Sequence, residues 1–280
     1  TVEQIEASAS ADDLTFETAE TVDGLSFGLL GDGVTDNTAA FTRVLSTGNR
    51  TIHVPAGDYV TGKLVIPSNT ILMLAPGVII RDSGLLAKHD RLINIIGHNV
   101  HIQGLGASVV SRRSDYTTDE WRHGVHIFGA SRVVIEGLES SNHGGDGFYI
   151  GGPAGNPSTD IYLKGCRADN NRRQGLSITS ARRVRIIDCE FMNTNGTAPQ
   201  FGVDLEPNDP VDFLDDIVLL RPYTRTNQGG GILICLNGLD ASSYPVNVSI
   251  VEHASVTEAP NLQTLAPPEV KATLRYSRQY

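Results

Sequence analysis

One short repeat constrains this chain more than anything else in it. Hexapeptides of one kind recur as GVHIFG at Gly124, GFYIGG at Gly147, GLSITS at Gly175, GVDLEP at Gly202 and GILICL at Gly231, with start-to-start steps of 23, 28, 27 and 29 residues. A second series runs between them: VHIQGL at Val100, VVIEGL at Val133, IYLKGC at Ile161, VRIIDC at Val184, VLLRPY at Val218 and VSIVEH at Val248. Apolar positions in both series follow the two-residue period of a strand, and the repeat leaves no room for a helix. A unit this small buries its apolar face only by stacking on its neighbours. The spacing therefore predicts an all-β chain wound as a parallel β-helix, with two strands per coil and equivalent positions about 4.8 Å apart.

The 29 glycines and 13 prolines supply the corners that such a chain needs. In the second series Leu105, Leu138, Cys166 and Cys189 fall in register and read as one inward ladder. With Cys235 they make three cysteines and no C-x-x-C pair, which argues against a disulfide framework or a zinc site. Acids outnumber bases by 32 to 22, and a net charge of −10 does not suit a nucleic-acid partner. No run has the length of a membrane-spanning helix. Thr1 opens an acidic stretch that has neither the basic nor the apolar part of a signal peptide.

A solenoid must cap its open ends. Residues 35–46, TDNTAAFTRVLS, form the one clear amphipathic helix, with Ala40, Phe41, Val44 and Leu45 on one face and Thr or Asp as its N-cap. The expected layout is an N-terminal extension over 1–26, the β-helix over 27–256, and a tail or cap over 257–280.

The stretch FGLLGDGVTDNTAAFTRVL, followed by TIHVPAGDYVTGKLVIPSNTILML, resembles the opening of the pectate-lyase-like superfamily of right-handed parallel β-helix proteins. The resemblance implies a right-handed coil and a protein that acts on polysaccharide outside the cytoplasm: secreted, periplasmic or on a virion surface. Members include glycosidases, polysaccharide lyases, uronan epimerases and phage tailspikes, and the last implies a homotrimer as one arrangement. The acid, His and Arg motifs of polygalacturonases do not occur in order, although Asp215 and Asp216 are an adjacent acid pair, and the D-P-H motif of alginate epimerases is absent.

In the first series the second residue after each glycine points outward. That row reads His126, Tyr149, Ser177, Asp204 and Leu233, with Glu206 on the same face two residues beyond Asp204. The turns entering these strands add His143 and Asp146, then Asn171, Arg172 and Arg173. Two carboxyls flanking a glycosidic bond can cleave it as acid and base or nucleophile. On this reading Asp204, Glu206 and Asp146 are the catalytic candidates, with Glu206 the general acid because Asp204 would raise its proton affinity. Arg172, Arg173, Tyr149, His143, His126, Ser177 and Asn171 would bind the sugar. No metal or cofactor is needed for hydrolysis. A lyase or epimerase would use the same patch with Arg172 or Arg173 neutralising a uronate, Tyr149 or His143 as base, and Ca²⁺ on the acids. A glycan-binding module without catalysis is the third reading.

Overall fold

The computed structural model describes residues 14–279. They wind into a right-handed parallel β-solenoid of about nine turns, with one short α-helix near the start. Each coil carries three strands where the sequence suggested two. The second series forms one sheet, in which His98–Gln103, Ser131–Glu136, Ser158–Lys164, Ala181–Ile187 and Leu214–Leu220 are successive neighbours. Val184 pairs with Ile217 there, so Val218 is one residue out of the register read from the repeat and faces outward.

A second sheet follows, built of strands such as Glu139–Ser141, Arg167–Asp169 and Glu190–Met192. Three residues are too few to display a period, so these strands merge with their predecessors when the sequence is read. A left-handed residue turns the chain between the two sheets: Gly137, Gly165 and Asp188 have φ of 66°, 59° and 52°. Asn142, Asn170 and Asn193 turn the next corner at 60°, 54° and 56°. Asn, Asp and Gly tolerate this conformation, which costs other residues about 1–2 kcal/mol.

The third sheet has eight strands, among them Val125–Phe128, Phe148–Gly151, Leu176–Ile178, Phe201–Leu205 and Gly230–Cys235. Its inward residues, including Ile127, Phe148, Ile150, Leu176, Val203 and Leu205, are fully buried. Each contributes about 1.5–3 kcal/mol by leaving water. That core fixes the outward row.

The inward ladder holds for Leu138, Cys166 and Cys189, which are buried, the cysteines as free thiols. Leu105 breaks it, being 77% exposed. Val100 lies against Val133 and Ser108 against Glu139, so the corner at Gly104–Ala107 has two residues more than its neighbour. Ala107 takes the inward place and Leu105 is pushed out.

The helix spans Thr38–Leu45, shorter than 35–46, and buries the four expected residues. Asn37 stands at the N-cap, but its side chain is spent on Leu30, Thr35 and Val60. Asp36 accepts the Thr38 N–H at 2.9 Å in its place. Both expected boundaries move as well. Glu20–Asp23 already pairs with the strand Arg50–Val54, while Leu262–Leu265 and Ala272–Arg278 continue the third and first sheets. Residues 1–13 of the expected extension lie outside the described residues. No helix among those described is long and apolar enough to cross a membrane. Asp215 and Asp216 pair with Arg182 and Arg185 at 3.0 and 2.8 Å on the first sheet, away from the outward row of the third.

Candidate active site

The outward row of the third sheet is in register: His126 against Tyr149, Tyr149 against Ser177, Ser177 against Asp204, Asp204 against Leu233. Glu206 follows the strand Phe201–Leu205, and its N–H donates to the Ile178 carbonyl. The strand therefore presents Asp204 and Glu206 on one face.

Asp204 is fully buried. Its Oδ2 accepts from Gln174 Nε2 at 2.7 Å, and Gln174 Oε1 accepts the Phe201 N–H at 2.7 Å. Its Oδ1 has no hydrogen-bond partner among the described residues. Burial first, then Glu206, hold its pKa well above 3.8, with Arg173 opposing. The carboxyl expected to have the raised proton affinity is Glu206; the one so raised is Asp204. The proton-holding carboxyl is Asp204, because it is the deeper one; Glu206 is partly exposed and lies 3.3 Å from Arg173 Nη2.

Asp146 is also fully buried. Burial raises its pKa to about 6, against the pull of Arg173 and of the Ser177 hydroxyl, which lies near without closing a well-formed hydrogen bond. Arg173 joins the acids: Nε reaches Glu120 at 2.9 Å, Nη1 reaches Asp146 at 3.5 Å, and Nη2 reaches Glu206. Burial alone would lower its pKa, but these carboxylates outweigh that and keep it charged.

Beside the acids runs a stack of rings. Tyr149 lies 4.8 Å from His123 and 5.2 Å from His126, and His126 lies 5.2 Å from Phe128. His123 Nδ1 is 3.3 Å from Asp146 Oδ2, yet the same nitrogen accepts the Asp146 N–H at 2.9 Å. Burial holds that imidazole well below 6.5, so it is neutral and the contact is not an ion pair. Burial likewise takes His126 to about 3 and raises Tyr149, whose hydroxyl meets Thr179 Oγ1 at 3.0 Å.

Three expected sugar-binding residues do not join this cluster. His143 is fully buried between Ser111 and Ser140, at 2.8 and 3.0 Å. Asn171 is buried at a corner, where it accepts the His143 N–H and donates to the Ser140 carbonyl. Inside the coil Asn171 satisfies backbone groups and the His143 ring bonds two serine hydroxyls. Arg172 points away from Arg173 and donates to the carbonyls of Thr117 and Asp119. Ser177 is in the row but buried, its hydroxyl toward Asp146.

Residues 111–124, SRRSDYTTDEWRHG, were not singled out by the repeat, yet they cover the cluster. Gly145 donates to the Arg122 carbonyl, and a side chain there would stand 2.6 Å from the Glu120 carbonyl. Glycine at that position lets the segment lie this close. It supplies Glu120 and His123, and with Gln174 these are the site residues that the sequence reading missed. A long segment interrupting a regular coil was the available signal.

The profile of the "Right handed beta helix region" family matches residues 61–234, more than half of the chain. An uncharacterized protein, YclG, of Bacillus subtilis (strain 168) is 28% identical over 86% of this chain and 49% of its own length. The pre-neck appendage protein of Bacillus phage phi29 is 26% identical over 83% of this chain and 29% of its own. The chain thus spans about half the length of the first and under a third of the second. Among solved structures, the tailspike gp49 of Acinetobacter baumannii bacteriophage Fri1, a capsular polysaccharide depolymerase, aligns with a TM-score of 0.65 at 12% identity, over 88% of this chain and 50% of that one.

Proposed function

Starting from a chain that belongs to the right-handed β-helix family, we propose that it acts on a polysaccharide and cleaves glycosidic bonds by hydrolysis. The observation that carries this reading is Asp204, a carboxyl on the outward face of a rigid strand, buried, proton-holding and beside a second acid. A general acid must keep its proton at working pH and give it to the departing sugar oxygen. The raised proton affinity of Asp204 supports that role. As the C–O bond breaks, its proton passes to the leaving oxygen, while Glu206 or Asp146 takes the proton of the attacking water or attacks the sugar carbon itself. Arg173, in contact with both, would hold these two acids in place.

Elimination is the weaker reading of the same patch. Burial makes the Tyr149 phenolate costly and leaves His126 and His143 feeble bases, both at about 3. Arg173 is already engaged by carboxylates. A binding role without turnover has one specific observation behind it: Asp146 and Asp204 expose no surface, so a glycan reaches them only if the residues over them move. The phage relative, named for an appendage, supports a place on a virion or outside a cell.

The test is a panel of acidic and neutral polysaccharides with products read by reducing-end release, near-ultraviolet absorbance and mass. Hydrolysis predicts new reducing ends, fragments heavier by one water, and no unsaturated sugar. Binding without fragments would establish the non-catalytic reading, and absorbing fragments would establish elimination.

A further inference from the structure

On the far side of residues 111–124 from the acids, an open groove of about 860 Å³ is lined by residues that include Arg112, Arg113, Tyr116, Asn170 and Arg172. Elsewhere on this acidic chain the arginines are largely matched to carboxylates, as in Arg81–Asp58, Arg182–Asp215, Arg183–Asp160 and Arg221–Asp188. The three at the groove are not. Arg113 donates to the Asn170 side chain at 2.5 Å and the Asn195 side chain at 2.6 Å, both neutral acceptors. Arg172 is held by backbone carbonyls. Among the described residues Arg112 makes no hydrogen bond or ion pair, and Asp115 is the exposed carboxylate in the lining.

The guanidinium side chains of Arg113 and Arg172 flank one glycine. A side chain at Gly196 would stand 2.9 Å from Arg113 Nη2 and 3.0 Å from Arg172 Cγ, so glycine there lets the two side chains pack close to one another over the backbone. Burial and the nearby Arg172 charge both lower the Arg113 pKa, the mark of like charges held together. Among the described residues neither Arg113 nor Arg172 is ion-paired with a carboxylate.

We propose that this groove binds an anionic group carried on a glycan: a carboxylate, sulfate or phosphate of one of its sugars. The inference rests on the polysaccharide reading above and narrows it to acidic polymers. Arg172 and Arg173 are consecutive, one facing the groove and the other the acids. Arginine suits the task because its planar fork matches an oxyanion with two parallel hydrogen bonds.

The experiment uses the Asp204→Asn chain, so that binding is read without cleavage. It is titrated calorimetrically with oligogalacturonate, a sulfated galactan oligosaccharide, a phosphodiester-linked sugar polymer and a neutral cello-oligosaccharide. One of the acidic probes should bind in a salt-sensitive way, identifying the anion, while the neutral probe binds at least ~10-fold more weakly. Arg112→Gln, at an exposed side chain that braces nothing, should weaken the acidic probe by at least ~10-fold, the scale of one charge-assisted hydrogen bond, and Arg112→Glu by more. Equal affinity for acidic and neutral probes, or unchanged affinity in both Arg112 variants, would overturn the groove's assignment while leaving the polysaccharide reading intact. Failure of every sugar to bind would overturn that reading and the groove's assignment with it. Single-stranded DNA binding as tightly as the best sugar would overturn the glycan as occupant.

Discussion

Replacing Asp146 by Asn should stabilise the protein at neutral pH and do nothing for it in acid. Burial raises this carboxyl from its ordinary 3.8 to about 6 in the folded state. At 1.36 kcal/mol per pKa unit, that is about 3 kcal/mol. The sign follows from proton counting. Between the two pKa values the folded protein holds a proton that the unfolded chain has released, so stability falls as pH rises through that window. The whole penalty is present above about 6 and none of it below 3.8. The wild-type curve alone will not display this, because buried histidines work the other way: His126 and His143 are held to about 3 and His253 to about 4, so acid protonates them first in the unfolded chain. The difference between Asp146→Asn and wild type cancels those terms. Urea unfolding of both proteins from about pH 4 to about pH 8 should give a difference near zero in acid, growing to about 3 kcal/mol by neutrality. A difference that does not vary with pH, or an Asn variant less stable at neutral pH, would refute the claim that Asp146 is ionised there against its environment.

Leu138→Ala should lower stability by about 2–5 kcal/mol by leaving a cavity in the core, whereas Leu105→Ala, at the exposed corner, should stay within about 0.5 kcal/mol; thermal melts of the two side by side check the corner's extra length. Cys189→Ser should lower stability by about 1–3 kcal/mol through a poorly paired buried hydroxyl. In the native protein Cys166 and Cys189 should resist a thiol reagent until the chain unfolds, and rapid native labelling would show that the ladder does not face inward.

Much of the third sheet was legible in advance because a two-residue period stacked on a regular coil leaves little choice. Once Ile127, Ile150, Ile178 and Leu205 face in, His126, Tyr149, Ser177 and Asp204 face out. Corners were less legible, since Leu105 and Leu138 end similar hexapeptides, VHIQGL and VVIEGL, and the extra residues of the first corner come only afterwards. At the site, the acids of the row could be read, but their depth could not. Asp204 and not Glu206 is the buried one because Asp204 lies within the strand, held by Gln174, while Glu206 lies just past its end. His143 and Asn171 looked like ligands for sugar because polar side chains at a turn resemble a site until their partners inside the coil are seen, serine hydroxyls for one and backbone for the other. Glu120 and His123 stayed hidden in a segment without a period, brought over the acids by contacts distant in sequence.

The central claim, that Asp204 is the general acid of a glycosidic cleavage, is tested most directly by the turnover of Asp204→Asn on whichever polysaccharide the wild-type protein degrades, measured with unfolding curves that establish an intact fold. The account predicts a loss of at least ~10²-fold in the rate of new reducing ends, the scale of lost general acid catalysis, with folding stability equal to or above wild type at neutral pH. A folded Asp204→Asn protein that releases reducing ends at the wild-type rate would contradict it.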